Sequence, residues 1–261
     1  MNKIIIKYKR KIMMKKFKMI LAIAMFAFIS NANATDYKDI INANKAARGG
    51  KAIDNIKTIQ TESDFNIMGT LILMKFNADL PAKYALEISQ MGQTVKFASN
   101  GTDIFASSAG QSQDIDAKEA ELMVLQFPDQ LYFQKNALLQ PNICTPENSI
   151  VTVDTLDGKS YQVLKVKQSE LIEVLYYIDP ATNLEAAYGF NILESATDSE
   201  LNQQLAQIGE NKPIYIVKEW MNVEGVKFPK TVEVKIGEIS GTQSFTKIEV
   251  NKKIDAAIFN K

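Results

Sequence analysis

The chain has 261 residues, with 30 basic and 30 acidic side chains, one cysteine and no histidine. Without histidine, Ser-His-Asp and Cys-His catalysis, His-ligated zinc and histidine acid–base chemistry are excluded, and a lone cysteine can neither form an intrachain disulfide nor build a zinc site. The formal charge of zero hides an asymmetry: residues 1 to 34 hold eight basic residues and no acidic one, and the remainder carries a net charge of −8, which disfavours nucleic acid as a partner.

The first segment reads as a secretory signal. A basic stretch, "KRKIMMKKFK", precedes an apolar core, "MILAIAMFAFI", and "ANA" ends at Ala34. The core is eleven residues long, whereas a spanning helix needs about 20. A cleaved leader over residues 1–34 is therefore expected, with translation starting at Met1, Met13 or Met14. No cysteine follows the apolar core, so a lipid-modified terminus is not expected. The expected product is an exported single domain, 35–261, of about 227 residues, long enough for one core without staples.

The mature start, "DYKDIINANKAARGG", spaces Ile40, Ile41, Ala43, Ala46 and Ala47 as a helical stripe. Asp36 and Asp39 suit its positive end, Arg48 suits its negative end, and Gly49 or Gly50 is the expected stop. The glycine pair does not form a phosphate loop: it follows a helix rather than a strand, and "GGKA" lacks the hydroxyl of a P-loop. "KAIDNIKTI" adds a short turn that places Ile53 and Ile56 on one side, and from Thr58 the period changes to two.

A ladder of about a dozen strands follows, at near-ten-residue spacing: "TIQTESDFN", "GTLILMKFNA", "AKYALEIS", "TVKFA", "DIFAS", "SIVTVDTL", "SYQVLKV", "EVLYYID", "NLEAAYGFNI", "PIYIVKEWMNV", "VKFPKTVEVKI" and "TQSFTKIEV". Turn signals separate them, among them a Met-Gly pair, Asn100–Gly101, "DGK" and Glu224–Gly225. Two helical inserts interrupt the ladder. "DIDAKEAELMVLQFPDQLYFQ" has Asp116 with Glu119 three residues on, and Pro128 breaks or bends it. "TDSELNQQLAQIGEN" carries a Leu201, Leu205, Ile208 stripe. Both should lie on the sheet.

Asp114, Asp116, Glu119 and Glu121 lack the spacing and glycine of a calcium loop and read as a solvated helix start. Cys144, in "PNICTPEN", reads as a buried inert thiol. No cofactor and no metal site are expected. In "TLILMKF", Ile72, Met74 and Phe76 share one face while Leu71 and Leu73 share the other; "EVLYYID" is likewise apolar on both faces. Such strands must be covered on both sides or must hold something. Core packing under the inserts and a cavity for an acyl chain are the two readings.

The ordered set "ARGG…AIDNIKTIQTES", "LPAKYALEI", "SNGTDIFAS", "DGKSYQVLKV", "YYIDPATNLEAA" and "VEGVKFPKTVEV…IEVNKKIDAAIF" resembles the outer-membrane lipoprotein carrier (LolA-like) superfamily, in the form common in Bacteroidota envelope proteins. The resemblance spans residues 36 to 261. It implies a mainly β (α+β) fold: a strongly curved antiparallel sheet, forming a half-open β-barrel with helices over the concave side. It also implies a periplasmic, non-enzymatic carrier of lipid or acylated protein, monomeric, with transient membrane contact. The alternative is an envelope module on the same scaffold, its core filled and its surface bound to a protein partner. Phe105 stands where relatives often have tryptophan, and the insert at Glu194 to Lys212 is larger than the family leads one to expect. The lid-holding arginine that some carriers have on an early strand is not transferred to Arg48, which sits at a helix end. Strand phase alone selects the candidate cavity lining: Phe65, Ile72, Met74, Phe76, Tyr84, Leu86, Ile88 and Trp220.

Overall fold

The computed structural model describes residues 36–123, 129–193 and 213–261. The leader and the Glu194–Lys212 insert expected from sequence lie outside these residues. Residues from Tyr37 onward form one compact unit.

Helix α1 (Tyr37–Arg48) buries Ile40 and Ile41, as its stripe requires. It ends where the Gly49 amide donates to the Lys45 carbonyl, and a 3₁₀ turn, Gly50–Asn55, then buries Ile53. Thirteen strands follow: β1 (Thr58–Ile67), β2 (Thr70–Asp79), β3 (Lys83–Gln90), β4 (Gln93–Ser99), β5 (Ile104–Ser108), β6 (Gln111–Asp114), β7 (Ser149–Leu156), β8 (Lys159–Lys167), β9 (Ile172–Ile178), β10 (Glu185–Ile192), β11 (Ile214–Val223), β12 (Val226–Ile236) and β13 (Ile239–Val250). They make one antiparallel sheet in the order β6-β5-β4-β3-β2-β1-β13-β12-β11-β10-β9-β8-β7. Two meanders, β1–β6 and β7–β13, thus meet at a single seam, β1 against β13. The sheet curves into a half-open barrel that does not close, with α1, the Gly50–Asn55 turn and the segment leading to Cys144 packed on its concave face.

Five links are two-residue turns with positive φ at both positions: Met68–Gly69, Met91–Gly92, Ala109–Gly110, Asp157–Gly158 and Glu224–Gly225. This geometry matches the right-handed twist of the strands they join. Among the described residues one strand exceeds the dozen expected. β6, of sequence QSQD, is fully exposed and has no apolar alternation to announce it; the Ala109–Gly110 turn and its pairing with β5 make it a strand.

In the first insert, α2 covers Ala117–Met123 and a π turn covers Gln130–Gln134; the bend expected at Pro128 lies outside the described residues. One expectation is corrected. The outer face of β2 is not covered, because Leu71 and Leu73 are 51% and 48% exposed. The outer face of β9 is covered: Leu175 and Tyr177 pack with Val163 and Ala187 in a satellite cluster. A second satellite places the C-terminal turn, Ala256–Phe259, over the outer face of β3–β5, where Phe259 meets Ala85, Ala98 and Phe105.

Candidate functional site

The concave face of the sheet carries the main core. Register explains why the lining candidates converge. Phe65 pairs with Ile72, and Met74 and Phe76 lie opposite Ile88 and Leu86. Tyr84 lies opposite Ala78 on the same face. Seven of the eight candidates therefore fall on one patch of three adjacent strands and join one cluster. Met74, Phe76, Tyr84 and Leu86 are buried in it, while Phe65, Ile72 and Ile88 are partly buried against it. Trp220 is not in that cluster. Tyr215, Val217, Met221 and Val223 keep one phase along β11 and pack on the core, so Trp220 stands out of that phase. The Trp220 ring lies 5.5 Å from the Arg48 guanidinium carbon.

A segment that sequence reading did not single out fills much of the hollow. Between α2 and β7, the chain from Asp129 to Cys144 lays Tyr132 and Phe133, both fully buried, against the inner face. Phe133 stacks on Phe76 at 6.1 Å and meets Phe245 edge-on at 5.3 Å. Tyr132 contacts Tyr188, Tyr215 and Phe245 at centroid distances of 5.1, 6.0 and 6.1 Å. Such offset and edge contacts suit the ring quadrupoles. The Ala137 amide donates to the Tyr176 hydroxyl at 3.0 Å, and the Leu138 amide to Asn136 Oδ1 at 2.9 Å. These bonds satisfy the irregular backbone and seat this plug. Cys144, at its end, is buried, and burial pushes its thiol pKa up.

Two polar groups sit inside this apolar space. The first ties α1 to the sheet. Arg48, fully buried, pairs with Glu185 Oε1 at 2.8 Å and donates to the Lys227 carbonyl at 3.1 Å. Asn44 donates to Glu185 Oε2 at 2.9 Å, and the Tyr188 hydroxyl donates to Glu185 Oε1 at 3.1 Å. Burial, and then the Glu185 carboxylate, push the Tyr188 phenol well above its usual range. Arg48 is thus more than a cation at a helix end: it holds helix to sheet across 137 residues of sequence.

The second group is Asp129, which accepts from Gln243 Nε2 at 2.9 Å through Oδ2. Gln243 Nε2 also donates to Ser63 Oγ at 3.0 Å. Among the described residues, Asp129 Oδ1, Tyr132 Oη and Thr61 Oγ1 are buried without hydrogen-bond partners. Burial raises the Asp129 carboxyl from 3.8 to about 6, against the lowering effect of the Gln243 bond. No cluster of potential metal-ligating side chains occurs among the described residues.

No family model matches the chain, and no curated protein matches it. Solved structures do. A LolA superfamily protein from Nitrosomonas europaea superposes with a TM-score of 0.55 at 12% identity, covering 87% of this chain and 99% of that one. A domain from Vibrio parahaemolyticus, named for outer membrane lipoprotein sorting, gives 0.50 at 10% identity, covering 85% and 95%. At such identities the likeness is one of fold: this chain has the LolA-like fold.

Proposed function

We propose that this LolA-like half-barrel is an exported carrier that shields an acyl chain in its hollow. The observation that carries the reading is the continuous apolar patch of β1–β3, on which seven side chains converge in an unclosed sheet. Shielding is the mechanism. Each enclosed CH₂ contributes about 0.8 kcal/mol, so a sixteen-carbon chain gains roughly 10 kcal/mol when fully enclosed. The cost of displacing the 129–144 plug is subtracted from that gain. Lipid and acylated protein are the cargo classes, and the periplasm is the compartment that suits the leader. A histidine-free chain with a buried thiol supports binding rather than catalysis.

A second reading is favoured by the plug itself. Tyr132 and Phe133 leave the inner face filled, as a protein-binding envelope module would have it. Native mass spectrometry of the purified protein, with titration of a fluorescent fatty acid, separates the two. Co-purifying lipid or saturable, displaceable binding supports the carrier. A clean apo mass with no probe binding sinks it and favours the module.

A further inference from the structure

In the β1–β6 half of the sheet one end is free of charge at its hairpin tips, and the charges next to it, on the neighbouring strands, are the paired Lys218 and Glu233 and the Glu238 of the β12–β13 turn. The hairpin tips Met68–Gly69, Met91–Gly92 and Ala109–Gly110 all lie at the same end, because β1 to β6 alternate in direction. The residues around each tip are uncharged from 65 to 74, from 88 to 95 and from 104 to 113, in a chain that is 23% charged. The opposite end of the same strands carries Asp79, Lys83 and Asp103. At the uncharged rim Met68 and Met91 are 78% and 90% exposed, and Leu71 and Leu73 are exposed just below on the outer face.

Both methionines also sit at φ near +50°. That position of the turn favours Asn, Asp or Gly. Met gains nothing there from packing and loses something to strain, so turn formation does not account for it. Around the tips stand neutral hydrogen-bonding residues, among them Asn66, Thr70, Gln90, Gln93 and Gln111.

The hollow opens at this rim. Along β1, β2 and β3, inner-face residues are buried far from the tips and partly exposed near them: Ile59 to Phe65, Phe76 to Ile72, Leu86 to Ile88. On β4, Val95 and Phe97 line an uncharged cleft of about 410 Å³ with Ser107, Ser108, Gln111 and Gln113.

We infer that the rim formed by the three hairpin tips of β1–β6 is a docking surface for the neutral interface of a lipid bilayer. Three tips on one edge meet a planar partner. Apolar ends reach below the headgroups, and the neutral amides and hydroxyls meet the ester and phosphodiester zone. The lack of charge of either sign fits an interface where a buried charge is costly, and it disfavours a charged protein face. Because the mouth lies at the same edge, a docked molecule has its hollow open to the lipid. The docking stands on the rim alone; only the direction of transfer rests on the carrier reading.

The test is flotation of the full mature protein with phosphatidylcholine vesicles. Wild type is expected to float, with little change on raising the salt. Met68→Asp with Met91→Asp should cut the bound fraction at least about tenfold. Aspartate suits these turns, so the melting temperature should not fall. Thr102→Asp, at the opposite end, should float like wild type. A soluble fluorescent fatty acid is measured alongside, and the double variant should bind it as wild type does. Wild type that stays with the soluble fraction, or a double variant that floats undiminished, overturns the docking. Flotation without fatty-acid binding upholds the rim and overturns the carrier. Flotation abolished by high salt would show an electrostatic contact and overturn the neutral-interface assignment.

Discussion

Arg48 and Glu185 are each fully buried, so removing one alone strands the other charge without water. Arg48→Ala or Glu185→Ala should lower unfolding free energy by about 3–5 kcal/mol, while a well-packed Met/Leu pair at the two positions should recover most of it. Urea unfolding of the three variants checks this. Asp129 has the opposite character. Its folded pKa, about 6, lies above its ordinary 3.8, so the folded state holds the proton more tightly. Its favourable contribution is complete below about pH 4 and is lost as pH rises through about 6. The difference in stability between wild type and Asp129→Asn should therefore change by about 3 kcal/mol across that window, in favour of the variant at higher pH. That Phe65, Ile72, Met74, Phe76, Tyr84, Leu86 and Ile88 share one face was legible because alternation and register are local. The Arg48 pair and the Asp129–Gln243 bond were not, since their partners lie 137 and 114 residues away. Trp220 fell outside the patch because both phases of β11 carry apolar side chains, Tyr215 and Val217 on one and Ile214 and Ile216 on the other, and alternation alone does not choose between them.

At the scale of elements, the two glycines expected to stop α1 do different work. A Cβ on Gly49 would stand 2.5 Å from the Gly225 carbonyl oxygen, at φ +149°. The link therefore lies flat on the β11–β12 turn. Gly50, at φ +60°, faces open space. Gly49→Ala should cost about 2–4 kcal/mol by thermal or urea unfolding, and Gly50→Asn should stay within about 0.5 kcal/mol of wild type. The plug was the least legible element. Its irregular backbone follows no period, and only its position against Phe76 and Phe245 reveals what Tyr132 and Phe133 do.

At the scale of the molecule, the strand ladder was legible because each strand is short, alternating and bounded by a turn. The filling of the hollow was not, because burial on one face does not say whether protein or ligand supplies it. Phe133→Ala addresses that directly. It should cost about 3–5 kcal/mol in stability. If the hollow takes acyl chains, the same variant should also bind a fluorescent fatty acid more tightly, since part of the displaced plug is already gone. Unchanged or lost binding would count against that site. The seam has a further consequence. Among the described residues, every hydrogen-bonded strand pair but one joins chain neighbours; the exception, β1 with β13, brings Ile59 beside Val250. Each meander can zip from its own turns, whereas the seam must close a loop of nearly the whole domain. Refolding speed should thus be governed by one late encounter between two ready-made half-sheets, and until it occurs the inner strands of both remain bare and able to capture the wrong copy.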